Sequence, residues 1–379
     1  MGQASEADEL SAWLRLALSP GLSRAAARRL LAGLGSPQAV LAAGPAAWRH
    51  YLNDKQIQAL AAPEADWPQR RDAALTWLQA TEHSTPRQLL TLADLDYPRG
   101  LLETADPPLL LFVQGRRKLL AADMLAVVGS RNPSPQGSDN AEAFGEALSA
   151  SGLCVVSGLA LGIDAAAHRG ALKAAGSTIA VLGTGIDSIY PRRNAALGAA
   201  IAERGLLISE YAPGAPALPS NFPVRNRIIA GLGRGCLVVE AALQSGSLIT
   251  ARLAAEAGRE VMAIPGSIHS PLSHGCHALL REGATLVETV QDVLDAIGRP
   301  APVASKPVAK ARAEPAPIGT ADPINSLLDC MGHDPVSLDA LIARGGWQVA
   351  QLNALLLELE LQQRVARLPG GLFQRRGQG

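Results

Sequence analysis

Lysine is almost missing from this chain. Only Lys55, Lys118, Lys173, Lys306 and Lys310 occur, so nearly all positive charge sits on arginine. Arginine's planar fork suits bidentate phosphate contacts, but a GC-rich genome produces the same bias, and the shortage is read as mostly compositional. Net charge is also lacking: 34 Lys and Arg balance 34 Asp and Glu. That balance excludes a whole-protein field that draws in polyanions, so any nucleic-acid site must be a local patch. Cys154, Cys236, Cys276 and Cys330 are far apart with no C-x-x-C pair. This excludes a disulfide scaffold and reads as buried free thiols in a reducing compartment. No apolar run is long enough to span a bilayer, and the amino terminus, with Glu6, Asp8 and Glu9, lacks a secretory signature. A cytoplasmic location is the expectation. No G-x-x-x-x-G-K-[ST] occurs, which excludes a P-loop, and Gly183 and Gly185 are followed by Ser188 where a dinucleotide fingerprint needs glycine. Neither ATP nor NAD is indicated, and no cofactor is expected.

What is present has three textures. Over residues 5 to about 80, apolar side chains recur at helical spacing, as in Leu10, Trp13, Leu14 and Leu16, then Ala26, Ala27, Leu30 and Leu31. Pro20-Gly21-Leu22-Ser23, followed by Arg28 and Arg29, suggests a helix-hairpin-helix weakly; an ordinary helix connection explains it more simply. From about 108, short β-rich runs alternate with helical segments. Leu109–Val113, Leu125–Val128, Leu153–Val156, Ile179–Leu182, Leu206–Ile208, Cys236–Val239, Val261–Ile264 and Leu286–Val287 read as buried strands, which predicts βαβ units and a parallel sheet with helices on both faces. Residues 299–322 are rich in proline and alanine, as a linker is. Three amphipathic segments, Ile324–Met331, Leu338–Ala343 and Val349–Leu361, and a glycine-turned hairpin then predict a winged helix. Its candidate recognition helix carries Glu358 and Glu360 and no basic residue, which argues against tight DNA reading by that helix.

Each strand runs into a loop of small, polar and basic residues, and ligands of such sheets bind beyond the carboxyl ends of the strands. Gly129-Ser130-Arg131 leaves one strand, Ser157-Gly158 begins the loop after the next, and Ser245-Gly246 lies beyond a later one. Asn221-Phe222-Pro223-Val224-Arg225-Asn226-Arg227 opens a predicted helix: Phe222 offers a face for a base, and Arg225 and Arg227 can fork onto phosphate oxygens. A helix cap with solvated arginines accounts for the same residues. For catalysis, Asp164 with His168 reads more simply as a helix cap and a partly buried helical residue. His269, His274, Cys276 and His277 match no standard zinc spacing.

Taken in order, Gly129-Ser130-Arg131, Ser157-Gly158-x-Ala160-x-Gly162-Ile163-Asp164, Gly183-x-Gly185-x-Asp187-x-x-Tyr190-Pro191-x-x-Asn194, Ser209-Glu210-Tyr211, Asn221-Phe222-Pro223-x-Arg225-Asn226-Arg227, Ser245-Gly246-Ser247-Leu248-x-Thr250 and Pro265-Gly266 carry a specific likeness. Over about 90 to 298 the chain resembles the DNA-processing protein A (DprA/Smf) family. The resemblance implies an α/β fold: a Rossmann-like, mostly parallel sheet core at 86–298, a small helical domain (SAM- or helix-hairpin-helix-like) at 1–85, and a winged helix at 323–379. It implies a protein that is not an enzyme but binds single-stranded DNA in natural transformation and recombination, protects it and helps load the RecA recombinase. Gly129, Ser130, Arg131, Ser157, Gly158, Asn221, Phe222, Arg225, Asn226, Arg227, Ser245 and Gly246 become the expected DNA site. His277, Leu280 and Leu286 become the expected homodimer patch. The rival is a LOG-like nucleoside monophosphate phosphoribohydrolase; the P-G-G-x-G-T loop that precedes the catalytic glutamate of those enzymes is replaced here by Ser245-Gly246-Ser247-Leu248-Ile249-Thr250, and Glu240 lies before that loop on a strand end.

Overall fold

The computed structural model describes residues 6–80, 85–268, 270–299, 323–331 and 335–376. The expected linker therefore lies, beyond Arg299, outside the described residues, as does His269. Five helices come first: α1 (Glu6–Leu18), α2 (Arg24–Leu34), α3 (Pro37–Trp48), α4 (Asp54–Ala61) and α5 (Trp67–Gln79). Their starts are written locally. Ser23 accepts from the Ala26 amide to cap α2, and Asn53 and Gln56 form a reciprocal capping box on α4. The turn at Pro20-Gly21 is an ordinary helix connection in which Gly21 takes φ +81.

The core follows as β1 (Arg87–Thr91), α6 (Arg99–Leu102), β2 (Leu110–Gly115), β3 (Met124–Val128), α7 (Pro135–Ala150), β4 (Cys154–Ser157), α8 (Ile163–Ala171), β5 (Thr178–Leu182), α9 (Ala195–Arg204), β6 (Leu206–Ser209), α10 (Asn221–Leu232), β7 (Gly235–Val238), α11 (Gly246–Glu256), β8 (Glu260–Ala263), α12 (His274–Arg281), β9 (Thr285–Leu286) and α13 (Val290–Ala296). These nine strands form one sheet in the order β1-β2-β6-β5-β4-β3-β7-β8-β9. From β6 to β9 every pairing is parallel; β1 and β2 add an antiparallel edge. The fold is thus the mostly parallel sheet expected.

Both faces of the sheet are covered, which is why its strands read as unbroken apolar runs. Along β3, Met124, Ala126 and Val128 enter one core while Leu125 and Val127 enter the other. A third core joins the helical domain to the sheet through Trp13, Leu14 and Trp77 against Leu89, Leu110 and Phe112. The winged helix is built from α14 (Pro323–Met331), β10 (Val336–Ser337), α15 (Leu338–Gly345), α16 (Val349–Leu361), β11 (Val365–Leu368) and β12 (Leu372–Arg375), around its own core of Leu327, Leu341, Leu352, Leu356 and Phe373.

Candidate nucleic-acid interface

The chain winds outward from β3 through β4, β5 and β6, then returns to place β7 on the other flank of β3. Loops after β3 and β7 therefore leave in opposite directions, and a crevice opens between them at the carboxyl edge, as this topology dictates. Here lies a cavity of about 420 Å³ whose walls include Gly129, Ser130, Arg131, Phe222, Asn226, Ser245 and Gly246. One wall is the start of α11, where Ser245 accepts from the Ser247 amide and the first turn bears no acid. The partial positive charge of that helix end is left for a ligand.

Phe222 sits in the first turn of α10 and lies down on the end of β5. Gly183 makes this possible, because a Cβ there would stand 2.8 Å from the Phe222 Cδ1. Arg131 is exposed, and its guanidinium carbon is 6.0 Å from the centre of the Phe222 ring. That is cation–π range. No acidic partner to Arg131 is found among the described residues. Tyr190 packs beside Phe222, with ring centroids 5.5 Å apart and planes inclined by 40°, and its side is open to solvent.

Several of the expected contact residues also carry structural bonds. Arg225 is only 4% exposed and donates to the Gly158 carbonyl at 2.6 Å and to the Val181 carbonyl. Burial pulls its pKa down to about 10, against the pull of nearby Asp164. Its Nη1 is a strut between α10 and the ends of β4 and β5, while the side chain also forms part of the cavity wall. Gly158 serves that strut, since a Cβ at 158 would stand 2.4 Å from the guanidinium. Arg227 is held by Glu210 and lies 3.7 Å from Asp106, in a cluster with Arg24 and Arg28. Ser157 is wholly buried and donates to the Val127 carbonyl at 2.6 Å. Asn221 lies outside the cavity wall, and its amide donates to the Leu218 carbonyl. Asn226 reaches the Gly246 carbonyl at 3.4 Å and ties α10 to the start of α11. Gln244, Ser247 and Thr250 also line the cavity; Ser247 and Thr250 stand in the motifs that carry the resemblance, whereas nothing in the sequence singled out Gln244. Tyr190 was signalled by its place in the loop after β5, on the predicted rim.

The titratable groups near the crevice are engaged. Asp164 accepts from the amides of Gly158 at 3.2 Å and Ala160 at 3.3 Å, and burial raises its pKa. The cap of α8 itself is Gly162, so Asp164 stabilises the preceding loop rather than the helix start. His168 is fully buried, not partly. Its Nδ1 lies 2.7 Å from the Thr178 hydroxyl, which donates onward to the Val155 carbonyl, so Nδ1 must carry the proton. Nε2 then accepts from the Leu159 amide at 3.3 Å. Burial lowers the imidazole pKa to about 3. Glu240 accepts from the Ser134 amide at 2.9 Å and its hydroxyl at 2.5 Å, which fastens the start of α7; burial raises its pKa. His274 and His277 meet the carbonyls of Ile268 and Gly266, and no cluster of three metal-ligating side chains is found among the described residues.

Fold and crevice together define a doubly wound α/β protein with a strand-end ligand site and an appended winged helix. A family model described as DNA recombination-mediator protein A matches residues 88–298, and one described as the DprA winged helix domain matches 311–371. Protein Smf of Escherichia coli (strain K12) is 42% identical over 307 residues, covering 80% of this chain and 81% of that protein. DNA processing protein DprA of Streptococcus pneumoniae is 52% identical over 204 residues, 54% of this chain and 72% of its own. The X-ray structure of the Streptococcus pneumoniae protein aligns with a TM-score of 0.60 at 39% identity, covering 78% of this chain and 98% of that one. DNA processing protein A from Helicobacter pylori, whose structure is described as giving insight into its single-stranded DNA binding mode, aligns with a TM-score of 0.51 at 31% identity over 55% of this chain and 94% of that one. The chain belongs to the DNA recombination-mediator protein A family.

Proposed function

We propose that the crevice binds single-stranded DNA without sequence preference, as a step in processing DNA for transformation and recombination. The observation that carries this reading is the pairing of an unopposed guanidinium, Arg131, with the half-buried ring of Phe222 on the rim of a strand-end cavity. A phosphate is matched to the first and an unpaired base to the second; in a duplex the base faces are stacked and cannot reach the ring. Gly129, Ser130, Asn226, Ser245 and Gly246 shape the groove around them. The single-strand binding described for the Helicobacter pylori relative supports the reading. In the same reading the bound strand is protected and passed to the RecA recombinase. Two copies pair at the open sheet edge, through exposed Leu286 of β9 together with Leu280 and His277 of α12.

Fluorescence anisotropy with single- and double-stranded oligonucleotides across a salt series tests the site. The single strand is expected to bind more tightly, with log K falling by about 0.7 per neutralised phosphate for each decade of salt. Arg131→Ala should weaken binding and make that slope shallower by one contact's worth; Phe222→Ala should cost about 1–3 kcal/mol with little change of slope. Wild-type affinity in both variants would overturn the assignment. The nucleotide hydrolase reading is disfavoured because Glu240 is committed to Ser134, and release of free base from a nucleoside monophosphate would restore it.

A further inference from the structure

Phe222 is not the last ring along the rim. A second, smaller cavity of about 120 Å³ adjoins it, sharing Arg131, Ala160, Phe222 and Arg225 with the first and closed by Leu161, Tyr190 and Pro191. Tyr190 is 51% exposed, an unusual state for one of only four tyrosines in the chain. Its position is fixed. The turn that follows is pinned by Asn194, whose side-chain amide donates to the Leu159 carbonyl at 2.9 Å and the Ala160 carbonyl at 3.1 Å. On that pinned turn Arg192 and Arg193 are both exposed, and no acid pairs with either among the described residues.

The geometry points to a second stacking subsite: the DNA strand crosses Phe222, places its next base against Tyr190, and carries its backbone on to Arg192 and Arg193. The inference rests on the single-strand reading of the crevice and gives it a direction along the rim. Rings inclined by 40° cannot sandwich one base between them, so each takes a different base and the strand bends between them. Two unopposed arginines beyond the second ring then continue the electrostatic track begun by Arg131, as in other single-strand grooves.

The full-length chain and oligothymidylates of increasing length, some with one 2-aminopurine at successive positions, test this. Tyr190→Ala should bind the shortest oligomers like wild type and the longer ones about five- to a hundredfold more weakly. Tyr190→Phe, which keeps the ring, should restore most of that loss. The paired change Arg192→Ala with Arg193→Ala should reduce the salt slope on long oligomers only. A 2-aminopurine signal that responds to Tyr190→Ala should sit at a different position from the one that responds to Phe222→Ala. If Tyr190→Ala matches wild type at every length while Phe222→Ala and Arg131→Ala are impaired, the second subsite is refuted and the crevice stands. If all three match wild type, the crevice reading itself falls.

Discussion

At the scale of single residues, two largely buried arginines two positions apart on α10 are held by different partners. Arg225 is inside, bonded to the carbonyls of Gly158 and Val181 and facing Asp164; Arg227 lies against Glu210. Removing the first should therefore act on folding rather than on a ligand. Arg225→Met is expected to lower stability by about 3–5 kcal/mol, because Asp164 is left as an uncompensated buried charge and two carbonyls lose their donor. Urea denaturation followed by circular dichroism measures it; a variant as stable as wild type that nonetheless fails to bind DNA would show that Arg225 contacts the ligand after all. The segment around Phe222 stands out in the sequence as a candidate because it sets an aromatic and two arginines at a helix start. Which arginine remains free was not legible, since that depends on Val181, Glu210 and Asp106, all distant in sequence from α10.

Elements obey the same division between local and distant causes. The parallel strands were readable because burial on both faces leaves uninterrupted apolar runs, as in Met-Leu-Ala-Val-Val for β3. β1, Arg-Gln-Leu-Leu-Thr, escaped notice because a short edge strand with little β-branching looks like a helical fragment, and only its ladder to β2 decides the matter. How α8 is fastened to the sheet was also hidden. His168 links the helix to Thr178 on β5 and to the loop after β4, and does so as a neutral imidazole. Its folded pKa, about 3, is below the ordinary 6.5. Between these values the unfolded chain takes up a proton that the folded chain refuses, so stability is full above 6.5 and falls as pH drops through the window. The slope from this one group reaches about 1.4 kcal/mol per pH unit. Urea midpoints of wild type and His168→Gln from pH 7.5 to 4.5 check this: the variant should start less stable and lose the His168 share of the slope. Parallel curves would disprove the neutral-histidine account.

The whole molecule is assembled by a joint that no motif announced, between the helical domain and the sheet. Trp77 of α5 stands edge-on to Phe112 of β2, with ring centroids 5.8 Å apart and planes at 81°, and Trp13 and Leu14 of α1 close the same core over Leu89 and Leu110. Beside it runs a cluster of three arginines and two acids: Arg24 and Arg28 from α2 meet Asp106 at 2.6 and 3.0 Å, and Glu210 at the end of β6 lies 3.5 Å from Arg24 while also holding Arg227. Burial alone would raise the Asp106 pKa, but hydrogen bonds from Arg28 and Arg24 outweigh it and hold the carboxyl below its usual range. The apolar and ionic parts of this joint predict different failures. Trp77→Ala should cost about 3–5 kcal/mol by opening a cavity against Phe112, and the exposed sheet face should make the protein self-associate as concentration rises. Glu210→Gln leaves three arginines to share Asp106, and should cost less in high salt than in low salt because screening relieves the repulsion. Calorimetry with light scattering separates the two: a Trp77→Ala variant that melts with wild type would mean that the helical domain is carried by the ion cluster alone, whereas salt-independent loss in Glu210→Gln would mean that the cluster acts through hydrogen-bond geometry rather than charge.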